Sequence, residues 1–149
     1  MPYFSIPSPV GDLTLFEDDG KIISLDWGAV DGGEETPLLA EAARQLEAYF
    51  DGTLKDFDLP LSPYGTSFQQ QVWKQLQAIP YGQVQRYGDL AERLSSAPRA
   101  VGGACGKNPI PIIIPCHRVV AKDGSLGGYS GLDGLESKRF LLDLEGVTL

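Results

Sequence analysis

Histidine occurs once in this 149-residue chain, methionine once and cysteine twice. One His and two Cys cannot assemble a four-ligand zinc site of Cys and His, and no metal is expected. Long apolar runs are also missing: the most core-like stretch, Ile110 to Ile114, is interrupted by Pro111 and falls far short of the roughly 20 residues of a membrane helix. The start, MPYFSIPSPV, lacks the basic residues and apolar core of a secretory leader. A cytoplasmic protein with no membrane partner is therefore expected. Dinucleotide fingerprints and Walker loops do not occur, and no cofactor is expected. What remains, at 42% hydrophobic and 21% charged residues, is the composition of an ordinary globular chain of one domain or two small ones.

Basic charge is scarce in the first half. Residues 1–65 carry 3 basic and 13 acidic side chains, a net of -10, whereas residues 66–149 carry 9 and 7, a net of +2. Between Val84 and Lys122 the balance is 6 basic (Arg86, Arg93, Arg99, Lys107, Arg118, Lys122) to 2 acidic (Asp89, Glu92). A solvated surface can look like this, and so can a patch that faces phosphates.

The first 27 residues read as short strands: Tyr3 to Ile6, Leu13 to Phe16, and Ile22 to Trp27 after the hairpin dipeptide Asp19-Gly20. A helix follows, with Thr36 as N-cap, Pro37 at its first position, and a stripe of Leu39, Ala42, Ala43, Leu46, Tyr49 and Phe50 ending at Gly52. Thr53 to Gly65 reads as a linker. These signals predict an antiparallel sheet with a packed helix over 1–58 and a second, mainly helical domain over 66–149, an α+β chain overall. In the second domain Thr66 and Gln69 form a capping box ahead of Phe68, Val72, Leu76 and Ile79, stopped by Pro80. Tyr87, Leu90, Ala91 and Leu94 suggest a second helix, and Ala97 to Cys105 a third. Gly102 and Gly103 inside that third helix cost about 1 kcal/mol each relative to Ala. With Ala100 and Ala104 they leave a smooth face that another backbone can approach closely. Two helices and a short turn suggest helix-turn-helix geometry, with a plain core pair as the alternative. Ile110 to Ile114 reads as a buried extended segment, and Asp133 with Glu136 as the cap of a last helix anchored by Leu135, Leu141 and Leu144.

Cys116 follows the extended segment, a position where cysteine is ordinarily inert packing. Its company differs: the single His117 comes next, then Arg118, then a loop dense in glycine. A thiol becomes a nucleophile when a base or positive charge favours the thiolate. Neighbours on an extended segment point apart, so His117 is expected to act through a bridging water. Glu145 in the last helix is a candidate to orient the imidazole.

P-C-H-R-V at Pro115 to Val119 resembles the active-site motif of the O6-alkylguanine-DNA alkyltransferases, also called methylated-DNA–protein-cysteine methyltransferases. Phe68-Gln69, Val72-Trp73, Ile79-Pro80, Gly82, Tyr87, Leu90-Ala91, Arg99-Ala100-Val101-Gly102, Asn108-Pro109, Gly128-Tyr129 and Leu141-Leu142 follow in the family's order, so the resemblance spans about residues 66–146. It implies a ribonuclease-H-like N-terminal domain and a winged-helix-like C-terminal domain. Cys116 would be the alkyl acceptor, activated by water, His117 and Glu145, and Tyr87 would assist the departing guanine. Asn108 would tie the recognition helix to the active-site strand. Arg99 would enter the base stack in place of the flipped nucleotide, with Ala100, Gly103 and Ala104 along the minor groove. Tyr129 and Ser130 would border the guanine pocket, and backbone carbonyls near Cys116 and Val119 would read the guanine edge. The implied partner is double-stranded DNA carrying O6-alkylguanine, bound by a monomer; whether O4-alkylthymine is also accepted stays open.

Departures from the family pattern are an apparent two-residue insertion, Leu132-Asp133, beside the pocket, and a short turn at Ser95 to Pro98. Two other readings of the residues remain: a lesion-binding protein that flags flipped bases without chemistry, and a thiol hydrolase using Cys116 and His117 on a small molecule. The first would not need Cys116. The second leaves Arg99 and the smooth helix without a role.

Overall fold

A computed structural model describes residues 1–127 and 134–148. It begins with three antiparallel strands in chain order, β1 (Tyr3–Ile6), β2 (Leu13–Asp18) and β3 (Lys21–Trp27). Asp19 and Gly20, at φ 51° and 74°, turn β2 into β3 as the dipeptide predicts. Leu13, Leu15, Ile22 and Leu25 are buried. Helix α1 (Pro37–Phe50) lays Leu39, Ala42, Leu46 and Tyr49, all fully buried, against this core. Thr36 caps the helix, its hydroxyl accepting from the Leu39 amide at 3.1 Å.

The segment after α1 is no loose linker. Ile22 donates to the Pro60 carbonyl and accepts from the Ser62 amide, both at 2.8 Å, so the segment runs beside β3. Gln45 holds the Asp58 backbone through both ends of its amide, at 3.0 and 2.9 Å, and Phe57 packs on Tyr49. Prolines suggest a linker because they lack an N–H. Here Pro60 contributes its carbonyl to the ladder, and Ser62, which has an N–H, supplies the donor. The chain accordingly divides into two compact units, Met1–Tyr64 and Gly65–Leu149.

The second unit opens with α2 (Ser67–Gln77), whose N-terminus carries the expected capping box: Thr66 and Gln69 exchange bonds of 2.9 and 3.1 Å. Gly65 lies flat on Trp73, where a Cβ would come within 2.3 Å of the ring. The Trp73 indole donates to the Ala104 carbonyl at 2.9 Å and ties α2 to α4 (Pro98–Gly106). Between them stand a two-residue strand, β4 (Gln85–Arg86), and α3 (Tyr87–Arg93). Ser95, at φ 52°, makes the left-handed turn from α3 to α4, and these two helices pack on each other. A 3-10 turn (Cys116–Arg118), β5 (Val119–Val120) and α5 (Leu135–Leu144) complete the unit. β4 and β5 pair in parallel, Gln85 with Val119 and Arg86 with Val120. Strands this short show no period, so the sequence carried no signal for them.

Two expectations change. Ile110 to Ile114 is buried but not extended; it closes on itself, the Ile114 amide donating to the Ile110 carbonyl at 2.9 Å. Helix α5 is capped by Gly134 at φ 53°, with no side-chain cap, and its Leu135 is 49% exposed; Leu141 and Leu142 are the buried anchors. Asp133 lies outside the described residues. No helix among the described residues is long and apolar enough to cross a membrane.

Candidate active site

The chain reaches Cys116 through two γ-turns. In the first, Ile112 takes φ 73° and the Ile113 amide donates to the Pro111 carbonyl at 2.8 Å. In the second, Pro115 at φ -80°, ψ 67° is the centre of an inverse γ-turn closed by the Cys116 amide on the Ile114 carbonyl, also 2.8 Å. A β-branched residue at positive φ costs about 1–3 kcal/mol and persists only where its surroundings over-determine it. Here they do: residues 110–120 are buried without interruption. Asn108 clamps the turn from one side, donating through Nδ2 to the Ile114 carbonyl at 2.8 Å and accepting from the Ile110 amide at 3.0 Å.

Cys116, His117 and Arg118 then occupy a single 3-10 turn, which corrects the extended geometry expected of them. Three residues per turn send their side chains about 120° apart. All three are buried, His117 completely. Glu145, at the C-terminal end of α5, meets two of them. Its Oε2 lies 2.7 Å from His117 Nε2 and 3.1 Å from Arg118 Nη2, and its Oε1 lies 2.8 Å from Arg118 Nε and 3.3 Å from the Gly82 amide. The remaining Arg118 nitrogen, Nη1, donates to the Ile79 carbonyl at the end of α2, at 2.7 Å. Tyr81, with its ring 5.8 Å from the guanidinium and its hydroxyl on the Leu144 carbonyl at 3.2 Å, closes that side. Burial holds the His117 imidazole below its ordinary pKa, outweighing the pull of Glu145. His117 Nδ1 is buried and has no hydrogen-bond partner among the described residues.

Lys138 approaches from α5. Its ammonium donates to the Val119 carbonyl at 2.6 Å and sits 5.8 Å from the Tyr87 ring centroid. Burial pushes it down to about 8, partly offset by the Cys116 and Cys105 sulfurs nearby. Cys105, inside α4, is pushed up to about 12 by burial and is an inert thiol at neutral pH. Tyr87 begins α3, half-buried, with its ring against Gly127, where a Cβ would stand 3.1 Å from the ring.

Of the residues expected along DNA, Arg99, Ala100 and Gly103 are exposed on α4, whereas Ala104 faces inward with its carbonyl engaged by Trp73. Val119 is fully buried and its carbonyl is held by Lys138. Tyr129 and Ser130 lie outside the described residues. Arg118, counted among the phosphate-facing cations, points into the protein instead. Lys138 is the residue that sequence reasoning missed, and for Arg118, read beside Cys116 and in the basic centre, it gave no buried partner. For Lys138 a signal existed: positions 138, 141, 142 and 145 follow the i, i+3, i+4, i+7 spacing of one helix face, so a stripe carrying Leu141 and Leu142 also carries Lys138 and Glu145. No group of three or more His, Cys, Asp or Glu side chains able to hold a metal ion occurs among the described residues.

Two family models match the chain. One, described as the DNA binding domain of 6-O-methylguanine DNA methyltransferase, covers residues 67–147, and the other, its ribonuclease-like domain, covers 1–63. The methylated-DNA–protein-cysteine methyltransferase of Haemophilus influenzae is 44% identical over 97% of this chain and 86% of its own length. The constitutive one of Bacillus subtilis is 44% identical over 98% and 96%. Among solved structures, that of Mycobacterium tuberculosis OGT in complex with DNA is similar at a TM-score of 0.88 and 44% identity, over 96% of this chain and 91% of that one.

Proposed function

The chain belongs to the methylated-DNA–protein-cysteine methyltransferase family, and on that premise we propose that it repairs O6-alkylguanine in double-stranded DNA by moving the alkyl group, once per molecule, onto Cys116. The alkyl carbon is shielded inside the duplex, so the nucleotide leaves the stack at a cost of a few kcal/mol. Arg99 takes its place, and the outward face of α4, with Ala100 and Gly103 bare beside it, lies along the minor groove. Asn108 ties that helix to the Cys116 turn.

In the pocket, His117 Nδ1 accepts the thiol proton through a bridging water, because neighbours on a 3-10 turn diverge. The thiolate attacks the alkyl carbon. The sulfur–carbon bond forms as the carbon–O6 bond breaks, and the electron pair stays on guanine, which Tyr87 helps to neutralise by hydrogen bonding or proton donation. Backbone carbonyls near Cys116 and Val119 read the guanine edge, and Tyr129 and Ser130 border it. A thioether has no easy reverse path, so one monomer, acting in the cytoplasm, serves one lesion.

The observation that carries this reading is the buried Cys116–His117–Glu145 arrangement in a member of this family. Intact-protein mass after mixing with excess duplex oligonucleotide containing O6-methylguanine tests it. The expected result is a single methylene increment, mapped to the Cys116 peptide, with no further turnover. Tight lesion binding at unchanged mass would overturn it in favour of a flagging protein.

A further inference from the structure

The family reading uses Glu145 to orient His117, and the structure shows a second claimant on the same carboxylate. Carboxylate oxygens offer about four lone-pair sites. At Glu145 all four are approached, by Arg118 Nε and the Gly82 amide on Oε1 and by Arg118 Nη2 and His117 Nε2 on Oε2. Three of those four partners can only donate. The fourth, His117 Nε2, could donate to an ionised carboxylate or accept from a protonated one. A proton on Oε2 would turn the imidazole into the Nδ1–H tautomer and leave the ring without an acceptor on its free side.

We propose that Arg118 is a positioning residue for the transfer reaction: by bidentate pairing it keeps Glu145 ionised inside the protein and so fixes His117 as the Nε2–H tautomer with Nδ1 as the proton acceptor. This rests on the reading of Cys116 as nucleophile. A carboxyl buried without a cation takes up its proton more readily, whereas one paired by a two-pronged guanidinium stays charged. The guanidinium cannot leave for solvent or DNA. It is buried, and its third arm is held by the Ile79 carbonyl, with the Tyr81 ring beside it. The other charged group acting on His117 is Lys138 from α5, with the Cys116 thiol near that ammonium; Tyr81, from the turn after α2, faces Glu145. Lys138 disfavours a charged imidazole, and its ammonium donates to the Val119 carbonyl, whereas Arg118 holds both oxygens of Glu145.

Because His117 is the chain's single histidine, its imidazole 15N signals report the tautomer without ambiguity and without DNA. The wild-type protein is expected to show the Nε2–H pattern at neutral pH; an Nδ1–H or doubly protonated pattern overturns the proposal without any variant. Arg118→Met is expected to shift the pattern toward Nδ1–H and to displace the acid limb of the methyl-transfer rate upward by about one pH unit or more, an extra tenfold loss at low pH. Arg118→Lys, which retains the charge and is the fallback should Arg118→Met not fold, is expected to keep the Nε2–H pattern with a smaller displacement. Arg118→Met combined with Glu145→Gln is expected to show no upward displacement, because an amide does not ionise. A loss that is uniform across pH, with the tautomer unchanged, would make Arg118 merely structural and overturn the proposal. If instead the tautomer follows Arg118 while no alkyl group reaches Cys116, the reading of the reaction fails and the placement of the proton stands.

Discussion

The two units handle charge in opposite ways. Met1–Tyr64 carries most of the acidic side chains of the chain, yet its buried polar residues are neutral, Thr14 and Gln45. Gly65–Leu149 is close to balanced in charge and buries His117, Arg118, Lys138 and Glu145. Removing ions from water costs several kcal/mol each, and replacing such a group by apolar residues often stabilises a protein. The first unit is thus built for stability by the ordinary route of an apolar interior under a charged surface. The second accepts a costly interior, together with a strained Ile112, as expected of a site whose groups have their charge set by their surroundings rather than by water.

The contrast can be broken in several places. Glu145→Ala strands the Arg118 guanidinium in the interior and is expected to cost about 3–5 kcal/mol, read by denaturant unfolding, along with the loss of alkyl transfer. If stability barely changed, the pair would not be the buried anchor described. Leu46→Ala, in the first unit, is expected to cost about 2–5 kcal/mol by leaving a cavity, while the transfer rate per folded molecule stays at the wild-type value. A slower reaction in the remaining folded protein would end the division of labour.

The sign of the pH effect separates the units further. His117 is held below its ordinary pKa by burial, so between that lowered value and about 6.5 the unfolded chain binds the extra proton and the folded one does not. Stability is therefore expected to be insensitive to this group above about pH 6.5 and to fall as pH drops below it, by up to about 1.4 kcal/mol per pH unit. His117→Gln should flatten that slope, and an unchanged slope would place its origin elsewhere. The smallest effect on stability belongs to Arg99→Ala, expected within about 0.5 kcal/mol because the side chain is exposed. Repair of duplex DNA should nevertheless slow, in a single-turnover assay. Unchanged repair would remove the arginine from the DNA-binding face.

Local signals were legible where one residue acts on its immediate neighbours. The Asp19-Gly20 turn, the Thr36 cap, the Thr66–Gln69 box and the apolar stripe of α1 all depend on spacings of a few residues, and the structure has each of them. The path from Ile110 to Cys116 was misread because an unbroken apolar run states burial and not backbone shape. Its two γ-turns are imposed by the packing around it and by the Asn108 clamp. The segment after α1 was misread for a related reason: its hydrogen bonds go to Ile22, far away in sequence.

The sequence by itself determined the α+β class, the helices and their caps, and the motif around Cys116. Tertiary structure alone decided what that motif does with its charges. Arg118 looks like any surface cation until α5 brings Glu145 to it across 27 positions, and His117 Nε2 meets its partner only when the same carboxylate reaches it across 28. The physical reason is that propensity and periodicity act over a turn or two of chain. Whether a charge is solvated, paired or tautomer-setting depends on which distant groups exclude water from it.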